Sequence, residues 1–110
     1  MPDAEATVRA YYAALDAGDY GEFESLLAPA FVQHRPDRTF EGREAFVAFM
    51  RDDRPMTDTT HELRTVFAAG DEVAARGRLL DADGATLFRF VDVHELGADG
   101  RIERLETFTR

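Results

Sequence analysis

Apolar side chains recur along this chain with two periods, and the change from one to the other divides it. Between Ala4 and Ala17, Val8, Tyr11, Tyr12 and Leu15 stand at i, i+3, i+4 and i+7, one face of an α-helix. Asp3 is placed to cap its start and Gly18 to end it. Asp19 then caps a second short helix with Tyr20, Phe23, Leu26 and Leu27 as its stripe, and Pro29 stops it. Phe31-Val32-Gln33-His34 is short and β-leaning, and the polar stretch Arg35 to Glu41, which contains Pro36, reads as a loop. A third helix begins at about Arg43, carries Phe46, Phe49 and Met50 on one face, and is broken by Asp52-Asp53-Arg54-Pro55.

Beyond Pro55 the period falls to about two. Gly-containing turns at Gly70-Asp71, Asp81-Ala82-Asp83-Gly84 and Gly97-Ala98-Asp99-Gly100 separate four strands, Thr59 to Ala69, Glu72 to Leu80, Thr86 to Leu96 and Arg101 to Thr109. Helices first and consecutive strands after predict an α+β domain, 1–110, with three N-terminal helices packed on a curved antiparallel sheet. Three helices cover one sheet face, so the other is left for solvent or a partner. In the strand that ends at Leu96, Phe88, Phe90, Asp92, His94 and Leu96 share one side, while Arg89, Val91, Val93 and Glu95 share the other. Asp92 thus falls in an aromatic row, either in an apolar pocket under the helices or at a rim beside an Arg. Val91 and Val93 on the open face predict a homodimer contact.

Charge narrows the function classes. The chain has 22 acidic and 13 basic residues and a net charge of -9, so nucleic acid is not an expected partner. Every basic residue is Arg, which suits a salt-adapted surface and equally a genome rich in Arg codons. No apolar run reaches the roughly 18 residues of a membrane span and Met1 to Ala10 does not read as a signal peptide, so a cytoplasmic protein without membrane contact is expected. The absence of Cys removes disulfides and thiolate chemistry.

Three stretches resemble the SnoaL-like and ketosteroid-isomerase-like family of the nuclear transport factor 2-like fold: VRAYYAALDAGDYGEFESLLAPAFVQHRPD, EGREAFVAFM and FRFVDVHELGADGRIERLETF. The resemblance implies a conical pocket closed by the helices, with acid and base groups deep inside. It implies that Tyr11 and Asp92 are paired hydrogen-bond donors to a developing enolate, Asp92 as a neutral carboxylic acid kept protonated by an apolar site. Where the isomerases carry an aspartate base before a proline, this chain has Arg35 before Pro36, and Arg cannot take a proton near neutral pH. His34, in the F-V-x-H segment, is the expected base instead, or else a strand-end histidine bonded to a carbonyl.

The catalytic candidates are therefore His34, Asp92 and Tyr11, with Tyr12, Phe46, Phe49, Met50, Phe88 and Phe90 as the pocket wall. No metal site is expected, since no H-x-H or H-E-x-x-H spacing exists, and neither a P-loop nor a dinucleotide fingerprint implies a cofactor. Arg76 and Arg78 share one strand face, where they either bind an anionic substrate group or pair with Glu62, Glu103 or Glu106. Two functions follow: a cofactor-free isomerase or cyclase moving a proton beside the carbonyl of a small apolar molecule, or a ligand-binding or dimerisation module of the same fold.

Overall fold

In the computed structural model, which describes residues 3–110, Asp3 opens the first helix by accepting from the Ala6 N–H at 2.7 Å. This helix, α1 (Ala4–Ala17), ends at Gly18, whose φ of 71° lets it bond back to the carbonyls of Ala14 and Leu15. Asp19 then accepts from Glu22 N–H and starts α2 (Tyr20–Ser25). The chain continues through β1 (Leu27–His34), β2 (Thr39–Glu41) and α3 (Arg43–Ala48), which widens into a π-helical turn over Phe49–Asp53. β3 (Thr60–Ala69), β4 (Glu72–Leu80), β5 (Thr86–Leu96) and β6 (Ile102–Thr109) follow.

These strands form one sheet in the order β2-β1-β6-β5-β4-β3. The four long strands are a meander as expected, but the sheet has six strands and is mixed, because β1 runs parallel to β6. Leu27, predicted in the stripe of the second helix, instead opens β1 opposite Ile102. Pro29 sits where the β1–β6 pairing slips between Leu27 and Val32, so its missing N–H interrupts no ladder bond. The supposed loop after His34 folds back as β2, aligning Phe40 with Gln33 and Thr39 with His34. Three residues are too short a strand for alternation to reveal it.

One face of the sheet carries the helices. Phe23, Phe31 and Phe46 are fully buried there with Leu27, Ile102 and Leu105, and the Phe46 ring lies 4.8 Å from Phe31 and 5.7 Å from both Phe23 and Phe40. On β5 four members of the predicted inner row, Phe90, Asp92, His94 and Leu96, are buried, while the fifth, Phe88, is exposed. The other face is open, with Phe67 61% and Phe108 50% exposed and Arg78 paired to Glu62 at 2.7 Å. Among the described residues no helix is long and apolar enough to cross a membrane.

Candidate functional site

Two concavities flank the sheet. The larger, about 1050 Å³, is an open trough on the outer face walled by Arg64, Arg76, Arg78, Arg89 and Arg110. The smaller, about 250 Å³, lies under the helices and collects the polar groups that can do proton chemistry, so it is the candidate site. Its apolar wall includes Leu15, Phe49, Met50, Leu87, Phe88 and Phe90, and its polar wall Tyr11, Gln33, His61, Asp92 and Thr107. The π-helical turn after α3 brings consecutive Phe49 and Met50 into this one wall.

Asp92 is held from two sides. Thr107, its cross-strand neighbour on β6, donates to Oδ1 at 2.6 Å, and the Tyr12 hydroxyl donates to Oδ2 at 2.6 Å. Gln33 Nε2 in turn donates to Thr107 Oγ1 at 2.9 Å. Burial pushes the Asp92 carboxyl up from the ordinary carboxylate range, and the bonds from Thr107 and Tyr12 oppose this without overcoming it. Each oxygen keeps one further lone-pair position, so a protonated Asp92 can donate while still accepting both bonds.

Behind Tyr12 lies His94, with Nε2 2.9 Å from the same hydroxyl. Burial lowers its pKa to about 3, which keeps the ring neutral. One hydroxyl proton cannot serve both neighbours. With Tyr12 donating to Asp92, His94 must carry its proton on Nε2 and donate to the Tyr12 oxygen. The Nδ1 of His94, buried without a partner, is then an unused acceptor, which is less costly than an orphaned N–H.

Tyr11 lines the cavity, and its hydroxyl has no hydrogen-bond partner among the described residues. Burial, and next the Asp92 charge, raise its pKa well above the usual phenol value, so it is a donor. Tyr12 is raised likewise, by burial first and Asp92 second.

Of the candidate wall, Phe49, Met50, Phe88 and Phe90 line the cavity together with Tyr11 and Asp92. Tyr12 and Phe46 do not: Tyr12 stands behind Asp92, and Phe46 is the centre of the aromatic core. His34 also lies outside the lining. On β1 Phe31 and Gln33 are buried while Val32 and His34 alternate with them, so Gln33 takes the inward position. His34 Nδ1 instead lies 3.3 Å from Thr39 Oγ1 across the β1–β2 hairpin.

The cavity's histidine is His61, which pattern reading left aside. Asp16, from the last turn of α1, accepts from the His61 backbone N–H at 2.9 Å and from its Nδ1 at 2.6 Å. That double grip orients the ring and leaves the lone pair on Nε2, the arrangement of a carboxylate-held general base. Asp16 and His61 are 45 residues apart and share no motif, so only the docking of α1 on β3 brings them together. Among the described residues no group of three His, Asp or Glu side chains is arranged to hold a metal ion.

The family model described as the SnoaL-like domain matches residues 8–105. No curated protein matches the chain. An NTF2-like protein of unknown function from Cytophaga hutchinsonii superposes with a TM-score of 0.86 at 17% identity, covering 100% of this chain and 92% of that one. A proposed polyketide cyclase from Sinorhizobium meliloti gives 0.81 at 21%, covering 98% and 95%. A proposed isomerase of the SnoaL-like family from Agrobacterium tumefaciens gives 0.79 at 21%, covering 94% of each chain. At these identities the likeness to each is one of fold.

Proposed function

The chain belongs to the SnoaL-like domain family, and from that premise we propose that its inner cavity binds a small, largely apolar carbonyl compound and moves a proton at the carbon beside the carbonyl. A cofactor-free isomerase or cyclase acts in this way. One observation carries the proposal: His61, gripped by Asp16, faces the same cavity as the unpartnered Tyr11 hydroxyl and the buried Asp92. In this reading His61 Nε2 removes the proton and the electron pair moves onto the carbonyl oxygen. Tyr11 and neutral Asp92 donate to that oxygen, and His61 returns the proton at another carbon, or the enolate attacks a second carbonyl. His61 takes the role that the sequence suggested for His34. A cavity smaller than those enclosing drug-sized ligands favours a compact substrate.

The test has two parts. A nitrophenol, mimicking the enolate, should bind with its phenolate form favoured, read by absorbance, and Tyr11→Phe and Asp92→Asn should weaken it. Deuterium should enter next to the carbonyl of an indanone in heavy water, read by NMR, and His61→Gln should abolish the entry. Failure of both in the intact protein would leave the second reading, a binding or association module.

The outer face supports that second reading as an addition. We propose that it pairs with a second copy. Its registered rows run from basic to acidic: Glu62, Arg78 and Arg89 beside Arg110; then Thr65, Arg76, Val91 and Phe108; then Phe67, Ala74, Val93 and Glu106; then Ala69, Glu72, Glu95 and Arg104. A two-fold axis through the apolar middle rows would lay the arginine end of one copy on the glutamate end of the other. Sedimentation should give a dimer that Val91→Arg dissociates; a monomer at every concentration and salt level would reject it.

A further inference from the structure

We propose that Arg35 and Arg54 form an anion-recognition site at the inner cavity, so that its substrate is a carboxylate-bearing carbonyl compound, an oxo acid with an apolar ring or short chain. The inference rests on the proton-transfer reading of the same site and specifies what the substrate must carry.

Both arginines line the cavity. Arg54 spends two N–H groups on neutral acceptors, the Met50 carbonyl at 2.8 Å and the Tyr20 hydroxyl at 3.1 Å, and the described residues give it no carboxylate. Arg35 meets only Asp37, at 3.4 Å, whose side chain is 65% exposed. Its guanidinium lies 5.8 Å from the centroid of the Phe49 ring in the cavity wall, which restrains it while leaving its donors free. The other carboxyls of the wall's surroundings are engaged, Asp16 by His61 and Asp92 by Thr107 and Tyr12. Two guanidiniums with unspent donors beside an apolar pocket suit a planar carboxylate, which each can approach with paired N–H groups.

Two buried polar atoms in the same wall also lack partners. Gln33 Oε1 and Thr59 Oγ1 make no hydrogen bond, although both residues are 4% exposed and both line the cavity. Orphans of this kind cost free energy unless something fills them. A ligand hydroxyl that reached Gln33 Oε1, or a ligand oxygen that reached Thr59 Oγ1, would satisfy them. On a chain of net charge -9 an approaching anion is repelled in general, so local guanidiniums are what an acidic substrate needs.

The experiment is a calorimetric titration of the intact protein with phenol, meta-hydroxybenzamide and meta-hydroxybenzoate, which share a ring and hydroxyl and differ in charge. The benzoate should bind at least about tenfold more tightly than the amide, as one or two charge-assisted hydrogen bonds imply. The advantage should shrink as salt is raised. Arg35→Gln and Arg54→Gln should each reduce the ratio of benzoate to amide affinity, while Arg54→Lys, which keeps the charge, should retain part of it. Circular dichroism melting confirms that each variant is folded. If phenol and the amide bind as well as the benzoate, the anion site is overturned and the proton-transfer reading stands. If none of the three binds, both fall. Equal binding of inorganic phosphate and the benzoate, each lost in both variants, would also overturn the carboxylate assignment, making this a general oxyanion site.

Discussion

The two faces of the sheet are built from alternate residues of the same strands, yet they treat polar groups in opposite ways. On the inner face Gln33, Thr107, Asp92, Tyr12 and His94 form one bonded chain out of water, in which each group fixes the next. On the outer face Arg78 pairs with Glu62 at 2.7 Å and Arg104 approaches Glu95 at 3.7 Å, all with side chains about half exposed. Exposed pairs are screened and add little to stability, whereas buried groups must be satisfied or change protonation. Position on the pleat decides whether a polar group is buried and held by its neighbours or left half exposed to solvent.

The contrast breaks most sharply at His61. His61→Gln should lower proton-transfer turnover by about 10²- to 10⁴-fold, the usual contribution of a positioned base. His34→Ala, outside the cavity, should leave it unchanged, and both are read by the same deuterium-exchange rate.

Next in size is the acid response of the core. His94 has a folded pKa of about 3 against an ordinary 6.5, so the unfolded chain binds the extra proton first. Stability is present above the ordinary value and is lost as pH falls through this window, on the order of 4 kcal/mol in all. Denaturant titrations from pH 7 to pH 3 should show this loss, and His94→Gln should flatten it. Asp92 acts with opposite sign: its raised folded pKa favours the folded state at low pH, and that contribution is lost as pH rises through the folded value.

Tyr12→Phe removes one oxygen that two buried groups share. It should cost about 1–3 kcal/mol by chemical denaturation. It should also raise the Asp92 pKa further, because the Tyr12 bond is among the influences that hold it down. The smallest effect belongs outside. Glu62→Gln should leave the melting temperature unmoved at moderate salt, although Arg78 loses its charged partner.

Much of the architecture was legible because long periodic segments leave little choice. Alternation alone put Asp92 and His94 on one side of β5 with Phe90 and Leu96, and the docking of the helices makes that side the buried one. What escaped were features that depend on distant chain segments meeting. The pattern shortens β1 because Leu27 continues a helical stripe in sequence while pairing Ile102 in space, and Pro29 reads as a helix stop although it sits at a register slip. Residue chemistry favours His34 over its neighbour, although alternation from the buried Phe31 points to Gln33. The Asp16 and His61 pair carries no spacing signal, and a carboxylate at the end of an amphipathic helix reads as solvated until a strand docks beside it.

The parallel pairing of β1 with β6 also governs the order in which the molecule assembles. β3, β4 and β5 join through short turns and can form locally, but β6 lies between β1 and β5, so residues 27–34 cannot find their neighbour until residues 102–109 arrive. Closing that long loop carries an entropy cost that local hairpins avoid, and non-local pairings of this kind slow folding. On a ribosome the helices, β1 and β2 emerge first and the β3–β5 hairpins next, so the facing edges of β1 and β5 both stay unpaired until β6 is made. The cavity, whose wall draws on β1, β3, β5 and β6 together, is therefore the last part of the molecule to exist.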